Sequence, residues 1–232
     1  MRILTLMLCA CAWGQVQRPQ LGKMLDANGA VRTVYGIAAS VTLGDAEIAG
    51  VLSSACSNTL CLAKTDAGIV SASGTAPAPP GPAIFAFDGS TAYVWFTEYR
   101  QLAHWSNGTL QPAFQWNPDS HGGDEVLSIG VKSGSVQFAV RRPTGIWIVN
   151  QDGSVAGALP RAAGALMLIP GGAVYATRQG IAIHDLEIPL EGVTAFSWMS
   201  ASYLEVRAQG VNYALRIDPG RETLFQLPGA SQ

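Results

Sequence analysis

The stretch that decides the fold is residues 136–154, VQFAVRRPTGIWIVNQDGS. It contains two runs of β-branched and aromatic residues, and a short polar turn separates them. The second run opens with Gly145 followed by Ile146, and it ends at Asp152-Gly153. Asp-Gly is favoured in type I′ hairpin turns because both central residues of that turn need positive φ. The stretch therefore predicts consecutive antiparallel strands joined by tight turns, which is a β-meander.

The same pattern recurs along most of the chain. In each copy, a β-rich run precedes a turn, and a second run then opens with Gly or Gln followed by a branched aliphatic residue. The anchors of this kind are Gly68-Ile69, Gln101-Leu102, Gly145-Ile146, Gly180-Ile181 and Gly210-Val211. Successive aliphatic residues lie 30 to 44 positions apart, close to the ~40 residues of a four-stranded propeller blade. Because helical periodicity is absent from the sequence, the pattern predicts an all-β protein.

The first copy is incomplete. Residues 22–37 form one hairpin with Asn28-Gly29 at its tip, but no β-rich run of the same unit precedes them. A partial blade suggests ring closure, in which strands from both termini complete one blade and remove exposed edges. We therefore expect a β-propeller of five or six small four-stranded blades, formed by residues 15–232 as a single domain. A β-sandwich or barrel with a similar number of strands is the alternative.

With these repeats, the chain resembles secreted bacterial β-propeller repeat proteins across most of its length. The resemblance rests on the Gly-aliphatic anchors and on the Asn-Gly and Asp-Gly turns. No blade ends in Trp-Asp, no kelch double glycine occurs, and residues 150–154, NQDGS, match only part of an Asp-box. The resemblance implies a fold and a secreted location, and it assigns no functional residue.

The first 14 residues differ from the rest. Arg2 precedes the apolar run at residues 3–12, and the small residues Ala12 and Gly14 end it, which is typical of a cleaved secretory signal. The run is far shorter than the ~20 residues that span a bilayer, so we expect no transmembrane segment. A secreted or periplasmic protein follows. The alternatives are a buried N-terminal strand and a lipid anchor through Cys11, because residues 8–11, LCAC, resemble a lipobox.

Cys56 and Cys61 are the cysteines that remain after residue 14. They flank a short polar turn between apolar runs, and an exported protein meets oxidising conditions. We predict a disulfide between them, which would fix the register of a hairpin more than the overall stability because its loop is short. Two buried free thiols are the alternative.

The composition of the chain limits which classes of partner it can bind. Charged residues make up 13% of the chain, and the formal net charge is −2. Without the basic surface that a phosphate backbone requires, we expect no nucleic-acid partner. The sequence also lacks a P-loop, a dinucleotide fingerprint, a zinc-protease helix and a Gly-x-Ser-x-Gly elbow. We expect a monomer without a cofactor.

The longest interval between anchors contains a polar loop with four candidate ligand-binding residues. Asp124 and Glu125 offer carboxylates to a hard cation, His121 offers a nitrogen ligand or a general base, and Trp116 offers a surface for stacking on a sugar or peptide. The carboxylates do not have the spacing of an EF-hand loop. A solvated connection is the alternative.

The sequence leaves two classes of function open. The first is a non-enzymatic binding module in the cell envelope or extracellular space, which presents loops from several blades to a protein, peptide or glycan. The alternative is a glycan hydrolase or lyase with carboxylates converging from several blades. Two carboxyl groups within ~10 Å in the central funnel would favour the enzyme, and an apolar, aromatic-rimmed mouth would favour the binding module.

Overall fold

The computed structural model of this chain describes residues 18–37, 40–115, 125–132 and 134–229. Within these ranges all regular secondary structure is β, with 23 strands in six antiparallel sheets. Each sheet is built from consecutive strands, and the innermost strands of successive sheets contact one another around a ring. The sheets are therefore the blades of a six-bladed β-propeller. The predicted fold class is confirmed, and the sandwich and barrel alternatives are wrong.

The first blade has three strands, and each of the other five has four strands in order from the axis to the outer edge. The first blade consists of β1 (Gln20–Leu25), β2 (Val31–Ile37) and β3 (Ser40–Ile48). The second consists of β4 (Val51–Cys56), β5 (Cys61–Thr65), β6 (Gly68–Ser71) and β7 (Gly74–Pro77). The third consists of β8 (Ala83–Asp88), β9 (Thr91–Phe96), β10 (Gln101–Ser106) and β11 (Thr109–Gln115).

The remaining three blades follow in chain order. The fourth consists of β12 (Glu125–Lys132), β13 (Ser135–Arg142), β14 (Gly145–Asn150) and β15 (Val155–Ala158). The fifth consists of β16 (Leu166–Ile169), β17 (Gly172–Ala176), β18 (Gly180–Ile183) and β19 (Leu186–Pro189). The sixth consists of β20 (Val193–Ser200), β21 (Tyr203–Ala208), β22 (Val211–Arg216) and β23 (Thr223–Gln226).

Tight turns set the register of the meanders. Asn107 and Gly108 join β10 to β11 with φ values of 50° and 78°, as a type I′ turn requires. Gln209 and Gly210 join β21 to β22 with φ values of 52° and 77°. The second turn has the same geometry although Gln stands where Asn is usual, because the hairpin imposes a conformation that propensity alone would not select.

Among the described residues, the first blade has no innermost strand, and β1 takes the place of a second strand. Gly22, near the start of β1, packs on the backbone of Met199 near the end of β20, since a Cβ at Gly22 would lie 2.3 Å from the Met199 carbonyl oxygen. The end of β1 lies beside Arg207 of β21. Arg207 pairs with Ala195, which is near the start of β20. Arg207 Nη2 donates to the Leu25 carbonyl oxygen at 3.1 Å. β1 therefore runs antiparallel to β20, as a second strand does.

The ring does not close as the sequence suggested. We expected strands from both termini to share one blade, but β23 is the outer strand of the sixth blade, and β1 pairs with β2 alone among the described strands. The expectation of a shared blade is therefore wrong for the described residues. Closure instead comes from side-by-side packing, because β4 and β20 contact each other and β1 packs against both. An inner ring of five strands results.

Apolar packing between neighbouring blades forms the core. Trp95 and Trp105 of the third blade are each 1% exposed, and β16 and β18 are buried along their whole length. Two serines also join blades: Ser53 Oγ accepts the N–H of Ala83 at 3.0 Å, and Ser128 Oγ accepts the N–H of Leu168 at 2.9 Å. Each serine follows a Val-Leu pair, so the sequence repeats this joint.

Candidate functional site

Of the four loop residues that the sequence singled out, the structure describes one, Glu125. Trp116, His121 and Asp124 lie outside the described residues, so the loop site stays a prediction. Glu125 is the first residue of β12, and its Oε2 accepts a hydrogen bond from Arg141 Nη1 at 2.8 Å. Both side chains are largely exposed, at 59% and 47%. Glu125 therefore forms a surface ion pair across its own blade and lines neither end of the central channel.

A cavity of about 450 Å³ lies where the five innermost strands end. We call it the upper cavity. The second to sixth blades all contribute to its wall, which is formed mainly by the apolar residues Cys56, Ala86, Phe87, Val131, Leu168, Ile169, Pro170 and Trp198. Ser57, Asn58, Thr59 and Ser90 add polar groups at the hairpin tips. Among the described residues that line it, none carries an ionisable side chain, because Cys56 is disulfide-bonded.

One wall of the upper cavity is the β4–β5 hairpin, which carries the predicted disulfide. Cys56 and Cys61 are bonded and face each other in the strand register, with a Cα–Cα distance of 4.1 Å. The predicted disulfide is confirmed. The turn is also held by the N–H of Ser57, which donates to the Leu60 carbonyl at 2.7 Å. Thr59 Oγ1 donates to the Gly89 carbonyl at 3.4 Å and links the hairpin to the third blade.

The opposite side of the same hairpin faces a cleft of about 520 Å³, which we call the side cleft. The start of β1 and the β20–β21 turn form its other walls, from Gln20 to Lys23 and from Met199 to Tyr203. Cys56, Ser57, Asn58 and Thr59 line both spaces. The disulfide hairpin therefore separates an apolar cavity from a more polar cleft.

A smaller cavity of about 210 Å³ lies at the starts of the innermost strands, at the other end of the channel. We call it the lower cavity. The strand register shifts between Val51 and Ser53 and again between Val126 and Ser128, which makes Leu52 and Leu127 the extra residues of two β-bulges. Both leucines line the lower cavity. Trp198, only 8% exposed, is the one described residue that lines both cavities.

Arg207 is the one charged residue among the described residues that line the lower cavity. Its Nε donates to Glu205 Oε1 at 3.0 Å, and Ser197 Oγ donates to Glu205 Oε2 at 2.9 Å. The Glu205 side chain is 1% exposed, whereas that of Arg207 is 39% exposed. The buried carboxylate thus holds the guanidinium at the edge of the cavity.

Two further buried ionisable groups lie away from both cavities. Asp26 accepts hydrogen bonds from Arg32 Nε at 2.6 Å and from the N–H groups of Asn28 and Ala30 at 2.9 Å. Burial alone would raise the pKa of Asp26, but Arg32 and the two N–H groups outweigh it and lower the pKa. Lys64 is fully buried and donates to the Thr65 carbonyl oxygen, and burial lowers its pKa. Asp26 therefore stabilises the β1–β2 turn.

The cavity-lining residues were missed by the sequence reasoning because they lie far apart in the chain. Phe87, Val131, Ile169 and Trp198 come from four blades and meet only where the strands end around the axis. The repeat itself was the available signal, since the end of each innermost strand is an equivalent position in every blade. Within the ranges that the structure describes, no group of three or more His, Cys, Asp or Glu side chains could hold a metal ion. The same ranges contain no helix long and apolar enough to cross a membrane.

No protein family's profile matches this chain. A search of curated proteins also finds no match.

Solved structures give weak matches to the fold. The extracellular domain of a hybrid two-component system from B. thetaiotaomicron aligns with a TM-score of 0.43 and 12% identity, covering 92% of this chain and 34% of that one. This chain therefore spans about a third of that domain. The β-propeller domain of Cps50 (Swd1) from Myceliophthora thermophila aligns with a TM-score of 0.46 and 9% identity, covering 93% of this chain and 90% of that one. A virginiamycin B lyase from Staphylococcus aureus, solved with quinupristin, aligns with a TM-score of 0.44 and 12% identity, covering 94% of this chain and 87% of that one. The names of these three proteins describe different roles, and the weak matches assign no function to this chain.

Proposed function

We propose that this protein is an exported binding module whose upper cavity receives an apolar or aromatic group of a peptide or protein partner. The observation that carries the proposal is the wall of that cavity, which brings apolar side chains from five blades around a volume of about 450 Å³. Ligand sites have volumes of ~300–1,000 Å³ and are lined mainly by apolar and aromatic side chains. The six-bladed fold places this wall at the mouth of the central channel, where a ligand has access.

The polar rim supports a peptide or protein ligand. Ser57, Asn58, Thr59 and Ser90 lie at hairpin tips beside the apolar wall, where their donors and acceptors can bind the backbone of a ligand. The wall itself favours an apolar side chain over a sugar ring, because sugar hydroxyl groups placed there would lose water without gaining hydrogen-bond partners. A peptide with an exposed Leu, Phe or Trp side chain has the required combination of groups.

The glycan-enzyme alternative needs two carboxylates ~5–10 Å apart across the scissile bond. Neither the upper nor the lower cavity has Asp or Glu among its described lining residues. Glu205 lies behind the wall of the lower cavity, where it is buried and bonded to Arg207 and Ser197. No observation on these cavities favours hydrolysis or lyase chemistry, so the binding module is the better-supported function.

Export is part of the proposal. The predicted signal at residues 1–14 and the Cys56–Cys61 disulfide support it, because disulfides persist outside the reducing cytosol. Intact mass spectrometry of the protein purified from its native host distinguishes the possibilities. A mass that begins at Gln15 is expected, whereas a diacylated Cys11 would identify a lipid anchor and an unprocessed Met1 would contradict export by a cleaved signal.

A neutral aromatic probe tests the upper cavity. N-phenyl-1-naphthylamine, whose fluorescence rises in an apolar environment, is expected to bind the wild-type protein. Phe87→Ser is expected to weaken binding at least tenfold, because it replaces part of the apolar wall with a hydroxyl group. Val131→Asn, in the neighbouring blade, is expected to act in the same direction.

The control is Tyr99→Ser, which removes an aromatic side chain that is 49% exposed and lines none of the described cavities. Its probe affinity should equal that of the wild type. Circular dichroism establishes that all variants are folded. If the wild type gives no fluorescence rise, or if all three variants bind the probe as the wild type does, the proposed function is wrong.

A further inference from the structure

We propose that the lower cavity is a second ligand site, on the opposite face of the propeller, for a small carboxylic acid with a short apolar tail. In this site Arg207 binds the carboxylate, and the bulged leucines and their neighbours enclose the tail. The proposal goes beyond the proposed function, because it concerns a different cavity, a different ligand class and a different face.

The first step is the hydrogen-bonding capacity of Arg207. A guanidinium group has five N–H donors in one plane. The Nε–H donates to Glu205, and one Nη2–H donates to the Leu25 carbonyl oxygen. These two bonds fix the plane of the group and leave its other N–H donors for a ligand. A guanidinium that is already oriented loses less conformational entropy when it binds a carboxylate than a mobile side chain would.

The second step is the orientation of the Glu205–Arg207 pair. Glu205 is 1% exposed and has its second oxygen occupied by Ser197, whereas Arg207 is 39% exposed and lines the lower cavity as well as a neighbouring cleft of about 440 Å³. An approaching anion therefore meets the positive end of the pair first. The described lining has no acidic side chain to oppose it. Charge-assisted bonds between a guanidinium and a carboxylate are among the stronger hydrogen bonds in proteins.

The third step is the apolar surface next to the guanidinium. Leu52, Leu127, Met167 and Phe196 line the same cavity, and Leu52 is 40% exposed although it is a large apolar residue. The β-bulges at Leu52 and Leu127 insert an extra residue at the start of each strand, a feature that redirects side chains near binding sites. An apolar tail would remove this surface from water.

The fourth step is size. The volume of about 210 Å³ corresponds to roughly seven water molecules at ~30 Å³ each. A chain of about six carbons fits this space, whereas a long fatty acid does not. Trp198 lines both cavities, so the lower cavity ends where the upper one begins. The ligand class is therefore a short-chain to medium-chain carboxylic acid, and hexanoate is a suitable probe.

The test compares hexanoate with 1-hexanol by isothermal titration calorimetry. The wild type is expected to bind hexanoate at least tenfold more tightly than the alcohol, because the tails match and only the acid engages Arg207. Glu205→Gln combined with Arg207→Gln should bring this ratio close to one. The double variant is used because removing Arg207 alone would leave Glu205 as a buried unpaired charge and would confuse binding with unfolding.

The matched control is Arg161→Gln combined with Glu187→Gln, which removes another Arg–Glu pair, exposed at 60% and 31%, away from the cavity. It should retain the preference of the wild type for hexanoate. Leu127→Gln should weaken hexanoate and hexanol alike, since both contact the apolar wall. Phe87→Ser should leave hexanoate binding unchanged, because Phe87 lines the upper cavity and not the lower one.

Three outcomes would overturn the proposal. Equal affinities of the wild type for acid and alcohol would show that Arg207 does not bind the carboxylate. If the double variant, Glu205→Gln with Arg207→Gln, is folded and still prefers hexanoate to 1-hexanol, Arg207 likewise does not bind the carboxylate. Loss of hexanoate binding in Phe87→Ser but not in Leu127→Gln would place hexanoate in the upper cavity, and this result would leave the proposed function of that cavity standing.

Discussion

The two ends of the central channel are formed by the same five innermost strands but differ in chemistry. The upper cavity has about 450 Å³ of space and an apolar wall, whereas the lower cavity has about 210 Å³ and contains Arg207. The difference arises because Leu25 and Glu205 hold Arg207 at the lower end, while a disulfide hairpin forms part of the wall at the upper end. Each end of a propeller channel can therefore present its own lining chemistry without a change in the scaffold.

Replacing the residue that lines both cavities, Trp198, should affect both ends and have the largest effect. Trp198→Ala deletes a buried side chain that lines both cavities, and a buried Trp→Ala change costs about 3–5 kcal/mol in free energy of unfolding. Chemical denaturation measures the loss, and titrations with the naphthylamine probe and hexanoate should both weaken. A variant that changes the affinity of only one probe would show that Trp198 is not a shared wall.

Asp26 provides a comparison with Glu205, since both are buried carboxylates paired with a partly exposed Arg. Asp26 also binds two backbone N–H groups of its own turn, which makes it structural. Asp26→Asn should lower the free energy of unfolding by about 2–3 kcal/mol at pH 7, because hydrogen bonds to a charged group are lost. Neither probe affinity should change in the folded variant.

The pH dependence of this effect follows from the lowered pKa of Asp26. The folded state holds the carboxyl group ionised below its ordinary pKa of ~3.9, so its stabilising effect is complete at pH values well above that pKa. It is lost as the pH falls from about 5 through the folded-state pKa. The difference in unfolding free energy between wild type and Asp26→Asn should therefore shrink on acidification, and a difference that grows instead would contradict the assignment.

The disulfide should matter mainly for the upper end. Cys56→Ser combined with Cys61→Ser should lower the free energy of unfolding by about 2 kcal/mol, since the closed loop is short. The naphthylamine probe should bind more weakly, because the hairpin forms one wall of its cavity, while hexanoate affinity should stay the same. Equal loss of both affinities would mean that the two ends are coupled through the ring.

Glu205→Gln should have the smallest effect on stability. Glutamine can keep bonds with Ser197 and Arg207, so we expect a loss of about 1 kcal/mol. Hexanoate should bind more tightly, because the positive charge of Arg207 is no longer balanced by a buried carboxylate. Weaker hexanoate binding in this variant would indicate that the position of Arg207, rather than its charge, limits affinity.

Local patterns predicted most of the fold. The five anchors, in which Gly or Gln precedes a branched aliphatic residue, mark the third strand of the second to sixth blades. The spacing of Cys56 and Cys61 predicted their disulfide, because turns and hairpins depend on neighbours in sequence. The position of β1 was not predicted, since its role as a second strand depends on contacts with Met199 and Arg207 at the far end of the chain. The cavity residues were missed for the same reason.

The missing innermost strand of the first blade has a consequence for the width of the channel. With β4 and β20 in contact, the bore is bounded by five strands although six blades surround it. A sixth inner strand would enlarge the circumference and widen both cavities. One residue, Trp198, can line the cavities at both ends because the circle of inner strands around the bore is one strand short among the described residues.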